Sequence, residues 1–169
     1  MIARLACALV ALWLPLDAAR AAETAAAEGA WPQRVDAESF RAVLEDRRGE
    51  VVVLNLWATW CIPCLKEIPD LMQLERELAP QGVALVAVSM DDPADVGIVA
   101  AYRQRNFPEF HTLLRGEPDM DTLVSVVDPS WNELLPTTYL IDRRGDVQRR
   151  IQGKRSLDDF RTEVQALLE

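Results

Sequence analysis

Two continuous apolar runs, at residues 51–57 and 83–89, dominate the hydrophobic pattern of the chain. Both are rich in β-branched residues, and runs of this kind predict strands that are covered on both faces of a sheet. Between them, residues 64–78 place apolar side chains at the spacing of an amphipathic helix that contains Pro69. The pattern therefore predicts a strand, a kinked helix and a second strand.

The rest of the chain continues the alternation of helices and strands. Asp36 and Ser156 stand where helix N-caps are expected, and Gly145 lies in a turn between two short predicted strands. Predicted helices cover residues 36–45, 93–105, 119–127 and 156–168, and predicted strands cover 110–114, 137–141 and 147–151. We therefore expect an α/β fold of three layers, with a central mixed β-sheet flanked by helices.

The N-terminal residues have the features of a secretory signal peptide. Arg4 precedes an apolar stretch at 5–16, and Ala19-Arg20-Ala21 offers a cleavage site of small residues. We interpret residues 1–21 as a signal peptide, 22–34 as a linker and 35–169 as one domain. The expected location is the periplasm or another exported compartment, and the alternative is an uncleaved N-terminal anchor.

Charge narrows the choice of partners. The chain has 18 basic and 27 acidic residues and a net charge of -9. This balance argues against a nucleic acid as partner, because nucleic-acid binding needs basic side chains at the phosphates. It also suits a soluble monomer.

Cys61 and Cys64 carry the candidate chemistry. Cys7 lies in the predicted signal peptide, so the mature chain keeps only this close pair, whose short loop would stabilise little as a disulfide. The pair stands where the strand at 51–57 passes into a helix, and free N–H groups and the helix dipole favour a thiolate there. We expect Cys61 in the exposed first turn and Cys64 on the core face. A C-x-x-C pair beside a βαβ pattern indicates a thioredoxin-like redox domain.

Two segments resemble the thioredoxin superfamily, and within it the exported TlpA/ResA-like branch. Residues 55–69, Asn-Leu-Trp-Ala-Thr-Trp-Cys-Ile-Pro-Cys-Leu-Lys-Glu-Ile-Pro, resemble the active-site segment of that branch. Residues 135–142, Leu-Pro-Thr-Thr-Tyr-Leu-Ile-Asp, resemble its cis-proline segment. The likeness covers residues 35–168 and implies a thioredoxin-like fold.

The resemblance also implies a role for each matching residue. Cys61 would be the attacking thiol, Cys64 the resolving thiol and Pro136 the cis proline that faces the pair. Glu67 matches the acidic residue that this branch carries after its second cysteine. Asn55 stands where cytoplasmic thioredoxins have a buried aspartate, so Glu67 would replace that proton acceptor.

Substrate binding would fall on the neighbours of these residues. We expect Trp60 to shield one side of the attacking thiol, and Leu135 to present its backbone to an incoming peptide. Trp131 is either a lid over the pair or a core residue. Two departures from the branch concern the same surface: its usual N-terminal β-hairpin is not evident, and the segment 114–135 is long.

The sequence thus predicts an exported thiol-disulfide oxidoreductase that acts through Cys61 and Cys64 without a bound cofactor or metal. A nucleotide-binding G-x-G-x-x-G is absent from the sequence, so electrons must come from another protein. The resemblance implies a membrane thiol-disulfide donor and a reductive role, with clients in cytochrome c maturation or copper-site assembly.

Two alternatives remain at this stage. A Cu(I)-binding chaperone would hold the metal between the two thiolates, whereas structural zinc would need four ligands and only His111 adds a further soft ligand. A general oxidant of protein thiols would run the same chemistry in reverse, and the sequence does not fix that direction.

Overall fold

A six-stranded mixed sheet forms the centre of residues 32–169, the part of the chain that the computed structural model describes. The sheet order is β1-β4-β3-β2-β5-β6; the first four strands in this order run parallel, and the last two pair antiparallel. The strands are β1 (Gln33–Val35), β2 (Val51–Trp57), β3 (Val83–Ser89), β4 (Thr112–Arg115), β5 (Thr137–Ile141) and β6 (Val147–Gln152).

Helices cover both faces of this sheet. They are α1 (Ala37–Glu45), α2 (Ile62–Leu78), α3 (Val96–Asn106), α4 (Met120–Val124) and α5 (Leu157–Leu168), with short 3-10 turns at Ala79–Gln81 and Pro93–Asp95. Asp36 and Ser156 cap α1 and α5 through their side chains, as predicted. The predicted three-layer α/β fold is confirmed.

The two longest apolar runs occupy the middle of the sheet. β2 and β3 pair in parallel from Val51 opposite Val83 to Trp57 opposite Ser89, and every residue of β2 is buried. Because successive side chains of a strand point to opposite faces, β2 supplies both halves of the core. One set packs under α1 and α4, and the other packs under α2 and α5.

The C-terminal ends of the parallel strands lie at one edge of the sheet, and the active-site segment follows β2 at that edge. Trp57 ends β2, and its indole nitrogen donates to Thr112 Oγ1 on β4 over 2.8 Å. Its ring also packs edge-on against Phe110, with centroids 5.5 Å apart. This buried aromatic contact fixes where the chain leaves the sheet toward Cys61.

Several predicted boundaries differ from those observed. The helix predicted at 93–105 begins with a 3-10 turn and becomes α-helical at Val96, and the strand predicted at 110–114 lies at Thr112–Arg115. Strand β1 was not predicted, because it has three residues and only Val35 is buried. It begins within the predicted linker 22–34. The predicted signal peptide and residues 22–31 of that linker lie outside the described residues.

Among the helices within residues 32–169, none has both the length and the apolar character that a membrane crossing requires.

Candidate active site

Cys61 and Cys64 begin helix α2 and are bonded to each other. Cys61 is the N-cap residue, and its sulfur accepts the backbone N–H of Cys64 at 3.3 Å. The two sulfur atoms lie 1.99 Å apart, and the Cα atoms 5.3 Å apart. Pro63 occupies the first turn, where its missing N–H costs no helical hydrogen bond. In the reduced protein, the same N–H group and the helix dipole stabilise negative charge on the sulfur of Cys61.

Cys61 is buried, and its predicted exposure is wrong. The residue is only 5% exposed, and Cys64 is 1% exposed on the core face, where it was predicted. Both cysteines pack in an apolar cluster with Trp57 and Phe110, against which Leu135 also packs. The exposed part of Cys61 borders a groove on the surface.

That groove is open and largely apolar. Its walls are residues 60–63 from the start of α2 and residues 133–135 from the segment before β5. Three of its side chains are exposed although they are large and apolar: Trp60 at 62%, Ile62 at 65% and Leu134 at 47%. Exposed apolar surface of this kind is typical of an interaction site. Trp60 and Leu135, the two predicted substrate-binding residues, lie on opposite walls.

Pro136 directly follows Leu135 of the groove wall and precedes β5. The Leu135–Pro136 peptide bond is cis, as the resemblance implied, and Pro136 is buried. Its carbonyl accepts the N–H of Gly153 at 2.9 Å, so the segment is tied to the connection that follows β6. Glu133 has a φ of 58°, a left-handed conformation that is uncommon for residues other than glycine.

Trp131 is a core residue and does not cover the cysteine pair. It is 7% exposed, packs in the cluster under α1 and α4, and donates from its indole nitrogen to Thr137 Oγ1 at 3.2 Å. Of the two roles that the sequence left open, the structure therefore supports the core residue. Trp131 packs next to the segment that leads to Pro136.

Asp128 joins the segment before β5 to strands β5 and β6. Its carboxylate accepts the Tyr139 hydroxyl at 2.9 Å, an Arg150 N–H at 2.8 Å and the Ser130 hydroxyl at 2.7 Å. Burial would raise the pKa of Asp128, but these donors lower it overall, well below the ordinary range of an aspartate. Burial and the neighbouring carboxylate raise the pKa of Tyr139. Sequence reasoning missed this network, because nothing in the local pattern links Asp128 to strands β5 and β6.

Glu67 is buried beneath the active-site helix. It is 1% exposed and is therefore not a solvated surface residue of the helix. Oε1 accepts the backbone N–H of Arg155 at 2.7 Å, and Oε2 accepts the side-chain amide of Asn55 at 3.3 Å. Asn55 also donates to Thr138 on β5 at 3.0 Å, which ties the carboxylate to the sheet.

The burial of Glu67 changes its protonation. Desolvation raises the pKa of Glu67 to about 7, although the hydrogen bonds from Arg155 and Asn55 and the charge of Lys154 oppose the rise. Near neutral pH this carboxylate is therefore able both to accept and to release a proton. It lies one helical turn after Cys64, on the buried side of α2.

Across residues 32–169, the structure has no cluster of three or more histidine, cysteine or acidic side chains that could hold a metal ion.

Comparison with known proteins agrees with this geometry. The model of the AhpC/TSA family matches residues 24–150, which include the cysteine pair and the segment of Pro136. The chain belongs to the AhpC/TSA family.

Several proteins similar to this chain are thiol-disulfide oxidoreductases or thiol:disulfide interchange proteins. The chain is 32% identical over 133 residues to the thiol-disulfide oxidoreductase ResA of Geobacillus thermodenitrificans, covering 78% of this chain and 71% of the relative. It is 33% identical over 125 residues to ResA of Geobacillus kaustophilus, covering 73% and 67%. A solved structure of a thiol:disulfide interchange protein, DsbE, from Chlorobium tepidum superposes with a TM-score of 0.63 at 30% identity, covering 75% of this chain and 85% of that one. This AhpC/TSA member is therefore a thiol-disulfide oxidoreductase with a thioredoxin-like fold.

Proposed function

We propose that this protein is exported and reduces disulfides in client proteins through Cys61 and Cys64. The observation that carries the proposal is the position of Cys61, at the N-terminus of α2 and on the border of an exposed apolar groove. The helix end supports a thiolate, and the groove gives a partner protein a surface to bind next to it. The predicted signal peptide at residues 1–21 supports export.

The chemistry runs in two steps. The Cys61 thiolate attacks a client disulfide, forms a mixed disulfide and releases one client thiolate. The Cys64 thiolate then attacks the sulfur of Cys61, releases the second client thiolate and closes the Cys61–Cys64 disulfide. Two electrons pass to the client in each cycle. A second thiol-disulfide protein must then reduce the Cys61–Cys64 disulfide again, and we propose that this donor is held in the membrane.

Glu67 serves the second step in this proposal. Cys64 is buried and must lose its proton before it can attack. A carboxylate with a pKa of about 7, one turn along the same helix, is suited to accept that proton. Asn55 and the Arg155 N–H hold the carboxylate in place.

Groove binding leads to a prediction about Trp60. Because its indole lines the groove and is 62% exposed, Trp60→Ala should raise the KM for a protein disulfide about 3- to 10-fold, with little change in kcat or melting temperature. The measurement is steady-state reduction of insulin by the protein, with dithiothreitol as the electron source that reduces the Cys61–Cys64 disulfide after each cycle.

Ile98→Ala is the matched control for this prediction. Ile98 is 59% exposed on α3, outside the groove, so its loss should leave KM unchanged. A Trp60→Ala variant with the KM of the wild type would show that the client does not use this wall.

Client capture tests the proposed function. Cys64→Ser keeps the attacking thiol and removes the resolving one, so mixed disulfides should accumulate in the exported fraction of cells that make the variant. Mass spectrometry would identify the trapped partners, and Cys61→Ser/Cys64→Ser is the matched control. Absence of trapped protein, or recovery of the variant in the cytoplasm alone, would contradict the proposal.

The direction of electron flow needs its own measurement. A reductant should have a potential nearer to the about −270 mV of thioredoxin than to the about −120 mV of the oxidant DsbA. A value near the latter would favour a general oxidant. Tight binding of Cu(I) by the reduced protein, without client capture, would favour the copper chaperone.

A further inference from the structure

Asp91 is a buried carboxylate that follows β3, and the steps proposed above do not use it. It is 3% exposed and accepts hydrogen bonds from three donors: the Thr59 N–H at 2.9 Å, the Thr59 hydroxyl at 2.6 Å and the Ser89 hydroxyl at 2.5 Å. No lysine or arginine forms an ion pair with it within residues 32–169. A buried charge is costly unless hydrogen bonds satisfy it, so the contacts with Thr59 matter to both partners.

Thr59 belongs to the short loop 58–60 that joins β2 to the active-site helix. Below this loop, the N–H of Met90 donates to the carbonyl of Trp57 at 2.7 Å and keeps the ends of β2 and β3 together. Above it, the N–H of Cys61 donates to the carbonyl of Ala58 at 3.1 Å. The position of Cys61 therefore depends on the conformation of a loop that Asp91 holds through both the backbone and the side chain of Thr59.

We propose that Asp91 is a positioning residue for the attacking thiol. By fixing Thr59, it holds the sulfur of Cys61 within reach of the Cys64 N–H and on the border of the groove. With the loop released, the Cys61 thiolate would lose part of the stabilisation that the helix end gives it, and its attack would slow. This inference rests on the proposed role of Cys61 as the attacking thiol.

The rate at which Cys61 is alkylated tests this role directly. In reduced protein at pH 7, reaction with iodoacetamide can be followed by mass spectrometry of the Cys61 peptide. Asp91→Ala and Thr59→Val should each slow alkylation about tenfold, because the rate follows the thiolate fraction. Their kcat for insulin reduction should fall in parallel.

Two variants serve as matched controls. Thr59→Ser keeps the hydroxyl group and should retain the rates of the wild type. Asp92→Asn removes the same charge one residue further on, where the side chain is exposed and contacts Ala94 rather than Thr59, and it should change neither rate.

A purely structural role would give a different result. If folded Asp91→Ala melts at a lower temperature but matches the wild type in alkylation and in kcat, the proposal is overturned. If Asp91→Ala does not fold, Thr59→Val decides the question by the same two rates. A wrong assignment of Cys61 is detected separately, because Cys61→Ser would then remain active.

Discussion

Cys61→Ser should abolish disulfide reduction, lowering the catalysed rate more than about 1,000-fold. Serine preserves the size of the side chain, but its hydroxyl does not form the thiolate that attacks a disulfide. The measurement is reduction of insulin with dithiothreitol as the electron source. In this assay, the variant should add nothing to the rate of dithiothreitol alone. The fold should persist, because the disulfide closes a four-residue loop and contributes little to stability.

Cys64→Ser separates the two thiols in the same assay. It should still attack substrate once, yet its turnover should be slow, because only an external thiol can then cleave the mixed disulfide. If instead Cys64→Ser is inactive toward the first substrate molecule and Cys61→Ser remains active, the assignment of attacking and resolving thiol is reversed.

The second large effect concerns Glu67→Gln and the pH dependence of stability. In the folded, oxidised protein the pKa of Glu67 is about 7, raised by desolvation from 4.5. Between these values the unfolded chain releases the proton and the folded chain retains it, so this residue makes the wild type less stable as pH rises. Below pH 4.5 and above pH 7 its contribution is constant.

Glutamine removes this dependence while it preserves the shape of the side chain. The free energy of unfolding of the variant, relative to the wild type, should therefore rise by about 3 kcal/mol between pH 4.5 and pH 7, at about 1.36 kcal/mol for each unit between the two pKa values. The measurement is urea unfolding of the oxidised proteins across this range. In the oxidised state the two cysteines do not titrate, so the comparison isolates the carboxyl group.

Glu77→Gln gives a control of opposite sign on the same helix. The side-chain hydrogen bond from Arg161 lowers the pKa of Glu77, so its stabilising contribution is lost as pH falls. The stability of that variant relative to the wild type should therefore fall as pH rises. A difference between Glu67→Gln and the wild type that stays flat from pH 4 to pH 8 would mean that Glu67 is not desolvated in solution.

Turnover kinetics test whether the buried Glu67 carboxyl group also takes part in the reaction. If Glu67 accepts the proton of Cys64, Glu67→Gln should slow the release of client from the mixed disulfide while Cys61 still attacks at the rate of the wild type. The stability experiment reports the burial of the carboxyl group, and the kinetics report its use.

The sequence by itself determined the frame of the site. The runs at Val51–Trp57 and Val83–Ser89 predicted both central strands with the observed bounds, because a strand covered on both faces is apolar at nearly every position, here all but Asn55 and Ser89. The helical spacing after Cys64 also predicted that Cys64 is buried on the core face of the helix. The resemblance of residues 55–69 and 135–142 to the thioredoxin superfamily implied roles for Glu67 and Pro136 in the site.

Tertiary structure decided how these residues are exposed and joined. Cys61 is buried because Trp57, Phe110 and Leu135 pack around it from three separate parts of the chain, and no local pattern carries that information. Asp91 and Asp92 are neighbours of identical type, yet one is buried against Thr59 and the other is exposed. Local periodicity reports which face of an element is apolar, whereas desolvation and hydrogen bonding depend on what the rest of the fold brings against that face.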